Sequence, residues 1–197
     1  VLARFANEPI PDYGDSRYLE RAGYVEHRVF NPDRYEVKPV MGNLAEAMPF
    51  FSQRGIREET VEVFTSFLRL VKDKEAVKYS LFNLGFPYTV AGKDKVLGYE
   101  IRGFGHYKSK AAGTNSTTAA WTADLSGTDN PHAIDNVYFA ESGYDIMAFY
   151  QANRQRLDSV HSVFVSLGGT FSNEQVKGIM NYYGEARAVD CFDNDLA

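Results

Sequence analysis

An alternation in the last third of the chain limits the possible folds more than any other feature. Strand-like runs at Val137 to Glu141, Val163 to Leu167 and Ala186 to Phe192 alternate with two amphipathic segments. The first segment places Ile146, Phe149 and Tyr150 on one helical face, and the second carries Val176, Ile179, Met180 and Tyr183 at i, i+3, i+4 and i+7. Ser172, with Gln175 three residues on, forms a capping box that opens the second helix. Strands that alternate with helices imply a parallel sheet with right-handed crossovers, and so an α/β fold class. In such a sheet the functional groups lie beyond the carboxyl ends of the strands. Glu141 and Asp193 both occupy that position, so the topology brings them to one edge although about fifty residues separate them.

Asp193 and Asp195 flank Asn194, and on an extended strand their side chains point the same way because the side-chain period is two. Asp-Asn-Asp is also good turn chemistry. With Glu141 at the same edge, the three carboxylates form an oxygen-donor cluster suited to a hard divalent cation such as Mg²⁺.

Upstream, a helix is expected around Pro49, a residue that suits a first helical turn, with Gly55 as its stop. Val61, Phe64, Leu68 and Val71 give a second helical spacing. A hairpin follows, Leu84 to Val90 and Val96 to Arg102 around the turn residues Ala91-Gly92-Lys93-Asp94. Gly103 to Thr118, rich in Gly, Lys, Ser, Thr and Asn, reads as an exposed loop. Arg102, Lys108 and Lys110, with Tyr107, make a basic-aromatic stretch that could grip single-stranded nucleic acid, or simply be solvated. Gly168-Gly169-Thr170 leads into the helix capped by Ser172. Its N–H groups could receive a phosphate, and a tight strand-to-helix turn would need the same glycines. The expected organisation is a loop-rich extension over 1–42 with a short helix around Tyr18 to Arg21, a mixed α+β unit over 43–133, and the α/β unit over 134–197.

The net charge of −5 means that bulk charge does not draw polyanions to this chain, so any nucleic-acid contact needs a local basic patch. A lone cysteine, Cys191, excludes an internal disulfide and a cysteine-based zinc cluster, and its apolar setting marks a buried thiol. His27, His106, His132 and His161 lack ligand spacing. The 14 Phe and 13 Tyr read first as core residues and second as base-stacking platforms. No run approaches the ~18 apolar residues of a membrane span, and no signal peptide is visible, so no membrane partner is expected and a cytoplasmic location follows by default.

Glu141-Ser142-Gly143-Tyr144-Asp145, Ser166-Leu167-Gly168-Gly169-Thr170 with Gln175, and Phe192-Asp193-Asn194-Asp195-Leu196-Ala197 together resemble the Toprim domain. The version they resemble is that of bacterial, DnaG-like primases, including proteins carried on mobile elements of gut bacteria. Phe51-Ser52-Gln53-Arg54-Gly55-Ile56 resembles the helix that starts the primase catalytic core, and Phe86-Pro87 with Gly98 to Arg102 resembles its hairpin. The resemblance spans about residues 45 to 197. Asn194 stands where the family pattern has Gly, and Gly143 is shifted by one from the family's Glu-Gly.

The resemblance implies a Rossmann-like Toprim sheet cut short after its third strand, preceded by a small primase-like domain with a β-hairpin. It implies Glu141 as general acid/base, and Asp193, Asp195 and Asp145 as holders of Mg²⁺ or Mn²⁺. Arg102, Lys108, Lys110, Gly168, Gly169 and Thr170 are the candidate nucleic-acid contacts. The implied activity is primase-like nucleotidyl transfer, making RNA primers for mobile-element DNA replication on a single-stranded DNA template from NTPs. A replicative helicase is a further implied partner. Two rivals remain: a Toprim nuclease or topoisomerase-like strand cleavage, and a non-catalytic nucleic-acid-binding module.

Overall fold

The computed structural model describes residues 29–76 and 81–192. The expected helix around Tyr18 to Arg21, and the Asp193-Asn194-Asp195 cluster, lie outside the described residues. Among those described, the fold is mixed α/β with two sheets.

The first sheet is wholly antiparallel and runs β1 (Tyr35–Pro39), β2 (Arg69–Asp73), β3 (Asn83–Pro87), β4 (Tyr99–Arg102), β5 (Lys108–Lys110), in that spatial order. The expected hairpin is β3–β4, extended beyond the ladder by mutual backbone hydrogen bonds of Tyr88 with Leu97 and Gly98. Two helices cover the sheet, α1 (Leu44–Ser52) and α2 (Glu58–Phe64).

The second sheet has the order β6 (Trp121–Asp124), β8 (Ser162–Ser166), β7 (Asn136–Ala140), β9 (Arg187–Asp190). Strand β7 pairs in parallel with both β8 and β9, and β6 lies antiparallel at the edge of β8. Helix α3 (Gly143–Asn153) joins β7 to β8, and α4 (Asn173–Tyr182) joins β8 to β9. The alternation of side chains along β7 and β8 sorts the packing. Tyr138, Ala140 and Phe164 meet Ile146, Met147 and Tyr150 of α3, whereas Val137, Phe139, Val163 and Val165 meet Ile179 of α4. The two helices therefore cover opposite faces, and the chain reverses direction across β7. The carboxyl end of β7 lies at that switch, where open α/β sheets gather ligands.

One core joins the sheets. Leu70, Leu84, Phe86 and Tyr88 of the first sheet's inner face share a buried cluster with Trp121, Tyr138 and Phe164 of the second. Phe86 meets the Trp121 ring edge-on at 5.2 Å, and the Trp121 indole N–H donates to the Phe67 carbonyl at 2.7 Å. The opposite face of the first sheet has its own small cluster of Tyr35, Val71, Tyr99 and Ile101.

Several expectations need correction. Tyr35–Pro39, read as part of the loop-rich 1–42 extension, is strand β1, and its residues pair with all of β2. The helical spacing through Leu68 and Val71 is broken: α2 stops at Phe64, a 3₁₀ turn covers Thr65–Phe67, and Val71 lies in β2. Adjacent Leu70 and Val71 each need an apolar face, and a strand buried on both sides supplies two. Pro49 sits inside α1 instead of at its first turn. Lys108–Lys110 is an edge strand within the segment read as a loop. Trp121–Asp124, assigned by sequence to the 43–133 unit, hydrogen-bonds to β8 of the second sheet. No helix among the described residues is long and apolar enough to cross a membrane.

Candidate active-site cleft

Glu141 follows the last residue of β7, and Ser142 then caps α3. The Ser142 hydroxyl accepts from the Asp145 backbone N–H at 3.3 Å and donates to the Asp145 carboxylate at 2.6 Å. Asp145 is thus tethered in the first turn of α3, where the helix dipole favours a negative charge. The Glu141 side chain is exposed.

The turn after β8 is fastened to this segment. The Leu167 N–H donates to the Ala140 carbonyl at 3.1 Å, and the Gly169 N–H donates to the Glu141 carbonyl at 2.8 Å. Gly168 and Gly169 have φ of 78° and 90°, a left-handed conformation that glycine adopts without strain. A Cβ on Gly168 would collide with the Tyr88 hydroxyl, so space as well as backbone excludes a side chain. The capping box at the start of α4 is present: Ser172 and Gln175 exchange hydrogen bonds at 2.9 and 3.1 Å.

Strand β5 supplies the opposite wall. Lys108 and Lys110 are both exposed and lie on one side of it, opposite Arg102 and Glu100 in the register with β4. The Lys110 ammonium donates to the Ser116 hydroxyl at 3.0 Å and lies 5.8 Å from the Tyr88 ring centre. Burial pulls its pKa below the usual lysine value, partly offset by the Glu100 carboxylate.

Between these walls lies an open cleft of about 670 Å³. Lys108, Lys110, Glu141 and the Gly168-Gly169-Thr170 turn line it. A second hollow of about 270 Å³ shares Lys108 and Glu141 and adds Arg54, Arg102 and Asp145. Every candidate site residue within the described range therefore borders this one double cleft, although the residues come from four separate segments.

Arg102 differs from its expected role. It is only 8% exposed, and its guanidinium contacts the Glu100 carboxylate through Nε and Nη2, both at 2.6 Å. It is a wall residue neutralised by a buried partner, not a cation on an exposed loop. The Ser166 hydroxyl also lies 3.4 Å from Glu100, which links the two sheets beneath the cleft. The Tyr88 hydroxyl is buried without a hydrogen-bond partner, and burial together with the Glu100 charge holds its pKa far above normal. Burial also pushes the Tyr144 hydroxyl up to about 12 and the Cys191 thiol up to about 11, leaving both protonated at neutral pH.

Sequence reasoning passed over two rings in the same cleft. Phe171 is 46% exposed and stacks on Phe192 at 5.5 Å with an 18° interplanar angle. The residue after the Gly168-Gly169-Thr170 turn was the only available signal: a large apolar side chain between a polar turn and a helix cap has no core to enter.

Among the described residues no group of three or more His, Cys, Asp or Glu is placed to hold a metal ion. Glu141 and Asp145 are the two carboxylates of the double cleft within the described range, and their oxygen donors suit a hard cation.

No family model and no curated protein matches this sequence. Among solved structures the chain is similar to the primase fragment of the bacteriophage T7 primase-helicase protein, with a TM-score of 0.49 and 16% identity. The match covers 91% of this chain and 66% of that one, so the chain spans less than two thirds of the fragment's length.

Proposed function

We propose that the double cleft carries out primase-like nucleotidyl transfer on nucleic acid, with Glu141 as general acid/base and Mg²⁺ or Mn²⁺ held by Asp145, Asp193 and Asp195. The observation that carries this reading is the meeting of Glu141 and Asp145 with Lys108, Lys110 and the Gly168-Gly169-Thr170 turn in one open cleft. The cleft lies beyond the carboxyl end of β7, at the switch of the strand order. Phe192 lines it, and Asp193 is the next residue in the chain.

Under this reading Lys108 and Lys110 hold the phosphates of an incoming nucleotide or of the template. The Thr170 segment supplies hydrogen bonds to the same groups, and Glu141 orients and deprotonates the attacking hydroxyl. A bound divalent cation would neutralise phosphate charge, and the remaining catalysis is positioning and electrostatics. The products would be short primers made on a single-stranded template, for replication of a mobile element, with a helicase as a natural partner.

The test is template-dependent oligonucleotide synthesis from NTPs with Mg²⁺ or Mn²⁺. The expected result is synthesis that chelation abolishes and that Asp193→Ala reduces by about 10² or more. Template cleavage without synthesis would favour the nuclease. Strand binding with no turnover would favour the non-catalytic module.

A further inference from the structure

A second basic hollow lies away from the cleft, at the far end of α3. It holds about 460 Å³ and is lined by Arg57, Arg154, Arg156, Gln151, Asn153 and Gln155, with only Ala152 besides. All three arginines are exposed, and among the described residues none of them forms an ion pair. Glu58 and Glu59 head α2 beside Arg57 without pairing to it, and nearby Asp158 pairs with His161 at 2.9 Å. In a chain of net charge −5, three exposed guanidiniums around one hollow, unpaired among the described residues, form a local departure from the average surface.

The hollow is fixed in place. The Gln151 side-chain oxygen accepts from the Arg57 N–H at 2.7 Å and from the Thr60 hydroxyl at 3.1 Å. Its amide nitrogen donates to the Gly55 carbonyl at 3.0 Å. The Gly55-Ile56-Arg57 segment is therefore pinned along α3, and it bridges the two basic regions. Arg54 and Ile56 line the hollow beside Asp145, and Arg57 lines the distal one. Arg54 is itself oriented by the Gly105 carbonyl at 3.0 Å and lies 5.6 Å from the Tyr144 ring centre. The cations form a path from Lys110 and Lys108 past Arg54 to Arg57, Arg154 and Arg156.

The length of the path fits a strand. From Asp145 to Asn153 the helix rises about 12 Å, which a stacked strand spans with roughly three to four phosphates at ~3.4 Å each. The lining is guanidinium and side-chain amide with almost nothing apolar. It suits phosphate and sugar oxygens, and gives a peptide no pocket for an anchoring side chain.

We infer that the Arg57–Arg154–Arg156 hollow is a second nucleic-acid contact, which holds the backbone of a single strand where it extends beyond the cleft. The inference rests on the reading of the cleft as a nucleic-acid site.

The test measures fluorescence anisotropy of 5′-labelled oligo(dT) of about 4 and about 16 nucleotides, lengths that bracket known single-strand sites. The full chain is compared with an Arg57→Gln/Arg154→Gln/Arg156→Gln variant. All three positions are exposed, so the variant keeps the core intact, which circular dichroism checks. The variant should bind the long oligonucleotide about tenfold more weakly, with a salt dependence flatter by about 2, at ~0.7 per lost phosphate contact. Affinity for the short oligonucleotide should not change. An unchanged affinity for the long strand, or an equal loss at both lengths, overturns the inference and leaves the cleft reading standing. Displacement of the long strand by poly-glutamate at equal charge would assign the hollow to acidic peptides and overturn it too. If the wild-type chain binds neither length, the cleft reading falls with the inference.

Discussion

The two sheets bring opposite chemistry to the cleft. From the antiparallel sheet come Lys108 and Lys110, on an edge strand whose charged positions reach water. From the second sheet come Glu141, Asp145 and the Gly168–Gly169 turn, at strand ends and a helix start where backbone N–H groups favour negative charge. Neither half holds both the charge that would bind phosphate and the carboxylates that would act on it. Under the proposed reading, the contact between the sheets is a functional element as well as a packing one.

Trp121→Ala removes the largest fully buried ring shared by the two sheets, together with its hydrogen bond to Phe67. We expect a loss of about 3–5 kcal/mol in urea unfolding, with oligonucleotide binding weakened in parallel. A loss under about 1 kcal/mol would mean that the sheets do not depend on this contact. Phe171→Ala acts on an exposed ring and leaves the shared core untouched. If the exposed face of this ring stacks on a base, strand affinity falls by about 1–3 kcal/mol in anisotropy titrations while Phe171→Trp retains it. Equal affinity for both variants and wild type would reduce the ring to a lid on Phe192.

The smallest effect belongs to the outer edge of the antiparallel sheet. Asp73 accepts two hydrogen bonds from Arg34, at 2.6 and 2.9 Å, and these hold its carboxyl pKa below the usual range. A lowered folded-state pKa contributes stability above the ordinary value of about 3.9, and the contribution is lost as pH falls through the lower folded one. Asp73→Asn should therefore cost up to about 1 kcal/mol at neutral pH and nothing below the folded pKa, with the cleft's binding unchanged. A constant difference across that acid range would mean that the ion pair is not its source.

The same division explains what the sequence made legible. In the second sheet, Val137 to Ala140, the α3 face and the Ser172–Gln175 cap follow from local pattern, because the central parallel strands β7 and β8 are almost wholly buried and each helix turns an apolar face to them. In the antiparallel sheet the signal is split. Leu70 and Val71 face different clusters, so their strand mimics a helical spacing that starts at Val61. Tyr35–Pro39 and Lys108–Lys110 are edge strands with charged exposed positions, which resemble loops by composition. The position of Glu141 was legible because a strand end is a local feature. The burial of Arg102 was not, because its partner Glu100 and the overlying Ser166 come together only when the two sheets meet.

The central claim is that the second sheet acts while the first holds, and one pair of variants tests it directly. Glu141→Gln and Lys108→Ala are compared for primer synthesis and for strand affinity in the same buffer. The account predicts that Glu141→Gln loses synthesis by about 10²-fold or more with affinity intact, while Lys108→Ala loses affinity and a flatter salt dependence follows. Synthesis that survives Glu141→Gln, or affinity that falls with it as steeply as synthesis, would contradict it.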